Sequence, residues 1–112
     1  MEINDIIREA QESAGLFGLE CVEVDKTDNT ISLKLVVDVE IAVHVYGNPQ
    51  KDKLNLALVF KQRRLYGYDS EGGKYHCHPA ENPEAHHIVG ARKSIRDFVE
   101  ESLKLLEERE LL

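Results

Sequence analysis

Ile31, Leu33, Leu35, Val37, Val39, Ile41, Val43 and Val45 occupy every second position of one continuous run. A repeat of two is the period of a β-strand, whose side chains alternate between faces. A helix would scatter these residues around its circumference. The alternates are Ser32, Lys34, Val36, Asp38, Glu40, Ala42, His44 and Tyr46, a mostly water-tolerant set. The run is longer than the usual strand of about 5–6 residues. It predicts either one bent strand or two strands broken near Asp38. A chain organised on such a run has to build a sheet with one buried face.

The flanking sequence completes that sheet. Ile3, Ile6, Ile7, Ala10 and Ala14 form one helical stripe, with Asn4 as candidate cap and Gly15 as candidate stop. Leu19 to Asp25 reads as a short strand that puts Cys21 opposite Val22 and Val24, and Thr27-Asp28-Asn29-Thr30 as a turn. After the turn Gly47-Asn48-Pro49-Gln50, Leu54, Leu56, Leu58 and Phe60 alternate, which predicts a strand from Lys53 to Gln62. Leu65 to Asp69 and Lys74 to His78 are expected to form a hairpin around Ser70-Glu71-Gly72-Gly73. Pro79 and Pro83 argue against further pairing, so residues 80–90 read as a loop. Ser94 and Asp97 cap a last helix that buries Ile95, Phe98, Val99, Leu103 and Leu106. Leu105, Leu111 and Leu112 fall outside that stripe, as surface leucines or as part of a homodimer contact. The expected fold is α+β and a single domain, residues 1–112. It has an antiparallel meander of about five strands, with an N-terminal and a C-terminal helix packed on one face.

Composition narrows the function classes. The hydrophobic fraction of 42% and charged fraction of 31% are those of a globular domain. No apolar run approaches the ~20 residues of a membrane helix. The acidic start, Met1-Glu2-Ile3-Asn4-Asp5, is unlike a signal peptide, so a cytoplasmic protein is expected. Cys21 and Cys77 are too few for a disulfide scaffold and are expected as thiols. The net charge of −7 argues against a surface that simply coats nucleic acid. That charge is uneven: −7 over residues 1–40, +3 over 41–80 and −3 over 81–112. Lys61, Arg63 and Arg64 lie in the basic third. They read either as decoration of a strand end or as a local phosphate site.

The residues that follow them are unusual. Four of the five histidines fall between Arg64 and His87. With a four-residue loop at 70–73, Tyr68 would face Tyr75, Gly67 would face His76 and Leu65 would face His78. Alternation then puts Asp69, His76 and His78 on one face, and Tyr66, Tyr68, Tyr75 and Cys77 on the other. The tyrosine face has a structural role, since a cross-strand aromatic pair stabilises a hairpin by roughly 0.2–1 kcal/mol. For the imidazole face three readings stand. The histidines are structural. Or His76 and His78, with His86 or His87, bind a divalent metal such as zinc, with Asp69 as ligand or support. Or two imidazoles, His76 and His78 beside Asp69, act as acid and base on a phosphodiester, with Arg63 or Arg64 holding the phosphate. The first two readings leave a non-enzymatic metal-binding or partner-binding module. His44 stands alone on a polar strand face and reads as a surface residue.

The order Tyr66-Gly67-Tyr68-Asp69, His76, His78-Pro79 and His86-His87, followed by an amphipathic helix, resembles the TumE-type family of small toxins of toxin–antitoxin pairs. The likeness is in outline over the whole length, and in motif from Leu65 to His87. It implies an aspartate in a late strand, a histidine-rich loop containing proline and a second histidine pair, here Asp69, His76, His78, His86 and His87. It also implies a partner antitoxin, commonly a DNA-binding protein; separately, the Asp69, His76 and His78 face next to Lys61, Arg63 and Arg64 makes RNA or another phosphate-bearing molecule a candidate target. The sequence departs from the family pattern where Glu71-Gly72-Gly73-Lys74 separates Asp69 from the first histidine, and where no further histidine follows His87.

Overall fold

A computed structural model describes all residues, Met1–Leu112. Seven strands form one antiparallel sheet in sequence order, flanked in the chain by two helices. In chain order these are α1 (Ile3–Phe17), β1 (Glu20–Lys26), β2 (Ile31–Asp38), β3 (Ile41–Asn48), β4 (Lys53–Phe60), β5 (Arg63–Glu71), β6 (Lys74–His78), β7 (His87–Val89) and α2 (Ile95–Glu108), with a short 3₁₀ turn at Pro49–Lys51. The class is α+β and the sheet a meander, but with seven strands in place of about five.

The extra strands have two sources. The long alternating run does break at Asp38, whose carboxylate accepts the Glu40 N–H at 2.8 Å and closes a tight turn. Val39, expected on the buried face, sits in that turn and is 98% exposed. The second source is β7, which pairs with β6 through Tyr75–Val89, His76–Ile88 and Cys77–His87. The prolines end pairing only locally: the chain loops out after His78 and returns as an edge strand.

Val43 lies between Leu35 and Leu58 in register and Val45 between Leu33 and Leu56, so these six residues share one face. They join Ile6, Ala10 and Ala14 of α1, and Ile95, Phe98, Val99 and Leu106 of α2, in a single cluster of 17 buried residues. At about 25 cal/mol per Å² of apolar surface removed from water, such a cluster is the main stabilising contribution. Gly47 lets α1 approach closely, because a Cβ there would overlap Ile6 Cδ1. α1 begins at Glu2, not Asn4: Glu2 and Asp5 cap each other's backbone reciprocally. It also runs through Gly15 and stops at Gly18, whose left-handed φ of 69° closes the helix. α2 starts as expected, with Ser94 Oγ accepting the Asp97 N–H at 3.1 Å. Leu105 and Leu111 pack against the core, whereas Leu112 is exposed.

Two turns set the register of the histidine hairpin. Gly72 and Gly73 take φ values of 59° and 81°, giving a two-residue turn rather than a loop at 70–73. Asp69 therefore pairs with His76, Tyr68 with Cys77 and Gly67 with His78. The shift from the expected pairing is even, so the two faces keep their residues. Lys61 and Gln62 also have positive φ and form the β4–β5 turn, so β5 starts at Arg63, earlier than Leu65. A bulge then leaves Leu65 unpaired between Arg64, opposite Val59, and Tyr66, opposite Leu58. Leu65 packs against the core cluster instead of facing His78.

Candidate functional site

On one side of the β5–β6 ribbon the tyrosines are held by α2. The Tyr66 ring stacks on Phe98 at a centroid distance of 4.9 Å. Its hydroxyl donates to Glu101 Oε2 at 2.7 Å, and Lys93 Nζ lies 2.6 Å from the same oxygen. The Tyr68 hydroxyl donates to the Ala91 carbonyl. Burial pushes the Tyr66 phenol far above its ordinary range, reinforced by the bond to Glu101. Burial likewise raises the Cys77 thiol, so its nucleophilic thiolate is scarce at neutral pH. This side is structural.

The other side carries Asp69, His76 and His78 together, as alternation required. His78 is 1% exposed. Its Nε2 lies 2.9 Å from Asp69 Oδ2 and its Nδ1 3.2 Å from the Pro83 carbonyl. The ring bridges a side-chain carboxylate on β5 and a backbone carbonyl of the loop. His78 thus clamps the loop after β6 onto β5. Gly67, directly across from it, makes room: a Cβ there would lie 3.3 Å from His78 Cβ and 3.1 Å from Arg64 Cδ. Arg64 runs over Gly67 and donates from Nη2 to the same Pro83 carbonyl at 3.0 Å.

With Pro83 fixed from two sides, the loop returns His86 to the sheet. The His86 ring meets His78 edge-on at 4.2 Å between centroids and His76 at 5.9 Å. His76 is half-buried and His86 exposed. Asp69 is the cross-strand neighbour of His76 and the hydrogen-bond partner of His78. The result is a compact group of two accessible imidazoles, His76 and His86, a half-buried carboxylate and the Arg64 guanidinium, all resting on His78.

Two sequence-selected residues lie apart from this group. His87 pairs with Cys77 and shares the tyrosine side, so it cannot join His76. Arg63 pairs with Phe60 one residue before Arg64, where the chain points the other way. Of the two arginines, Arg64 is the one positioned at the histidines. Lys61 pairs with Glu40 at 3.7 Å in the neighbouring turn. No three His, Cys, Asp or Glu side chains are grouped as they stand to hold a metal ion. The reasons are local, since both nitrogens of His78 are occupied and His87 faces away.

Two participants escaped the sequence reading. Pro83 acts through its carbonyl, which no side-chain pattern reports. His44 is not isolated: it pairs with Lys34 across β2–β3, and burial together with that ammonium lowers its pKa. The signal was available once the break at Asp38 was accepted, because a tight turn there pairs residue 34 with residue 44. No helix of the protein is long and apolar enough to cross a membrane. Comparison with family models, with curated proteins and with solved structures finds no match for the chain.

Proposed function

We propose that this is a small toxin-like protein of a toxin–antitoxin pair, acting in the cytoplasm, whose histidine cluster is directed at the phosphodiester backbone of RNA. The observation that carries the reading is the return of His86 to within 5.9 Å of His76, beside Asp69 and Arg64. Two imidazoles at that separation reach atoms of one phosphodiester. Imidazole accepts and donates protons near neutral pH, which suits acid–base work on a poor leaving group. In the proposed step one ring takes the proton of the ribose 2′-hydroxyl, and O2′ forms a bond to phosphorus. The bond from phosphorus to O5′ breaks, and the other ring, protonated, gives its proton to O5′. Arg64 stabilises the charge on the non-bridging oxygens. Asp69 and His78 are positioning residues that hold the loop carrying His86.

The reading takes both helices to cover one face of the sheet, which leaves the opposite face to a ligand. The single buried cluster joining α1, α2 and one set of alternating strand residues supports it. The test is growth arrest on induced expression, together with the ends left on RNA by the purified chain. Wild type is expected to arrest growth and leave 2′,3′-cyclic phosphate ends. His76→Ala and His86→Ala are expected to abolish both effects, while His87→Ala leaves them unchanged. Arrest and cleavage that survive the His76→Ala/His86→Ala pair would remove these residues from the mechanism.

A further inference from the structure

The face that holds the histidine cluster continues across the sheet as a trough. One cross-strand row runs Lys34, His44, Ala57, Gly67, His78 from β2 to β6. Its middle is low, because Ala57 and Gly67 carry almost no side chain and Ala42 lies in the next row. Two adjoining hollows result, of about 640 and 370 Å³, and Lys34, His44 and Arg64 line both.

The charge lining the hollows is balanced, unlike that of the whole chain: Lys34, Lys61 and Arg64 stand against Asp38, Glu40 and Asp69. Glu40 pairs with Lys61, Glu71 with Lys53 and Asp69 with His78, at 3.7, 3.3 and 2.9 Å, while Glu20 and Asp25 of β1, opposite Val36 and Ser32, stand at the edge of the face and line neither hollow. Asp38 accepts the Glu40 N–H. Lys34 is exposed and, like Arg64, forms no ion pair with any carboxylate. Tyr46 lines the smaller hollow beside them. Unpaired cations along a groove with an aromatic surface are the features by which proteins hold single-stranded nucleic acid.

We infer that this trough binds a single RNA strand, with Lys34 and His44 taking one backbone phosphate while another lies at His76 and His86. The inference rests on the RNA reading above and extends it to strand form and length. His44 on β3 and His76 on β6 are three strand spacings apart, about 14 Å. Hydrogen bonds reach about 3 Å. One phosphate therefore cannot serve both ends, and the ligand is a polynucleotide. A rigid duplex could not lay one backbone along the hollow floor, whereas a flexible strand can follow it.

The test is fluorescence anisotropy of the full chain with a 2′-O-methyl oligouridylate of about twelve nucleotides, within the site sizes of such grooves. The methyl group removes the attacking hydroxyl, so binding is read without cleavage. Wild type is expected to bind this strand and to bind the matching duplex at least tenfold more weakly. Lys34→Ala is expected to weaken binding and lower the log–log salt slope by about 0.7, the value for one phosphate contact on a single strand. His44→Gln is expected to weaken binding about fivefold, equivalent to one hydrogen bond. Circular dichroism melts accompany each variant. Lys34→Gln, a milder change at the same exposed site, should repeat the slope change in a chain that melts like wild type. Lys34-dependent binding without cleavage of unmodified RNA upholds the trough and sinks the cleavage reading. Unchanged affinity and slope in folded Lys34→Ala would overturn the inference. So would no binding by wild type, or competition by polyglutamate at equal concentration, which would make the face a site for an acidic protein.

Discussion

The two sides of the β5–β6 ribbon solve one problem differently. On the tyrosine side, polar atoms are satisfied by a helix: Tyr66 by Glu101 and Lys93, Tyr68 by the backbone ahead of α2. On the histidine side they are satisfied by each other and by a single loop. Asp69, His78 and Arg64 meet around the carbonyl of Pro83. The tyrosine side is redundant, since stacking on Phe98 and burial hold the ring if one hydrogen bond is lost. The histidine side hangs on His78. The histidine group is not covered by a helix, so its order comes from below, through one buried residue.

The largest expected effect breaks that support. His78→Ala removes a buried ring, leaves the Asp69 carboxylate without its donor and leaves the Pro83 carbonyl with Arg64 alone. Urea unfolding is expected to show a loss of about 3 kcal/mol. His86→Ala, at an exposed ring, is expected to cost less than about 0.5 kcal/mol. Equal losses in the two would mean that His78 is no more structural than its neighbour.

A smaller effect comes from the opposite strand. Gly67→Ala puts a methyl group against His78 and the Arg64 stem, and overpacking of this kind costs about 1–3 kcal/mol. In the NMR spectrum the His78 and His86 ring resonances should shift while those of Tyr66 and Phe98 stay. Movement of the Tyr66 signals instead would show that the two sides are not independent.

The smallest effect concerns the tyrosine side and appears with pH. Burial alone would raise the Glu101 carboxyl, but the Lys93 ammonium and the Tyr66 hydroxyl outweigh it and hold it below its ordinary 4.5. A carboxylate depressed in the folded state stabilises above its unfolded pKa. That contribution is lost as pH falls through the folded value. Thermal melts should therefore show wild type losing an increment below about pH 4.5 that Glu101→Gln lacks. The increment is small because the pair is partly exposed to water. An identical acid limb in both proteins would show that the pair contributes nothing measurable.

Much of this was legible before any coordinates. The period of two in Ile31–Val45 and in Leu54–Phe60 demanded a sheet with one buried face, and the final stripe demanded α2. The division of Tyr66, Tyr68, Tyr75 and Cys77 from Asp69, His76 and His78 was also legible, because any pairing displaced by an even number preserves it. The register itself was not, since it depends on whether Gly72-Gly73 alone or Ser70–Gly73 makes the turn. Local composition permits both.

What the sequence determined by itself was periodicity: which residues can share a face is a property of strand and helix geometry. Only the tertiary structure decided which of the clustered residues meet. His86 and His87 are adjacent and chemically identical, yet one returns to His76 and the other pairs across β7 on the opposite side. Arg63 and Arg64 divide in the same way, on either side of a bulged strand. Arg64 and the loop carrying His86 are both held at the Pro83 carbonyl, which accepts from Arg64 across 19 residues and lies 3.2 Å from His78 Nδ1. A backbone acceptor leaves no trace in side-chain pattern, so the histidine cluster could be recognised as unusual but the residues that meet in it could not be named.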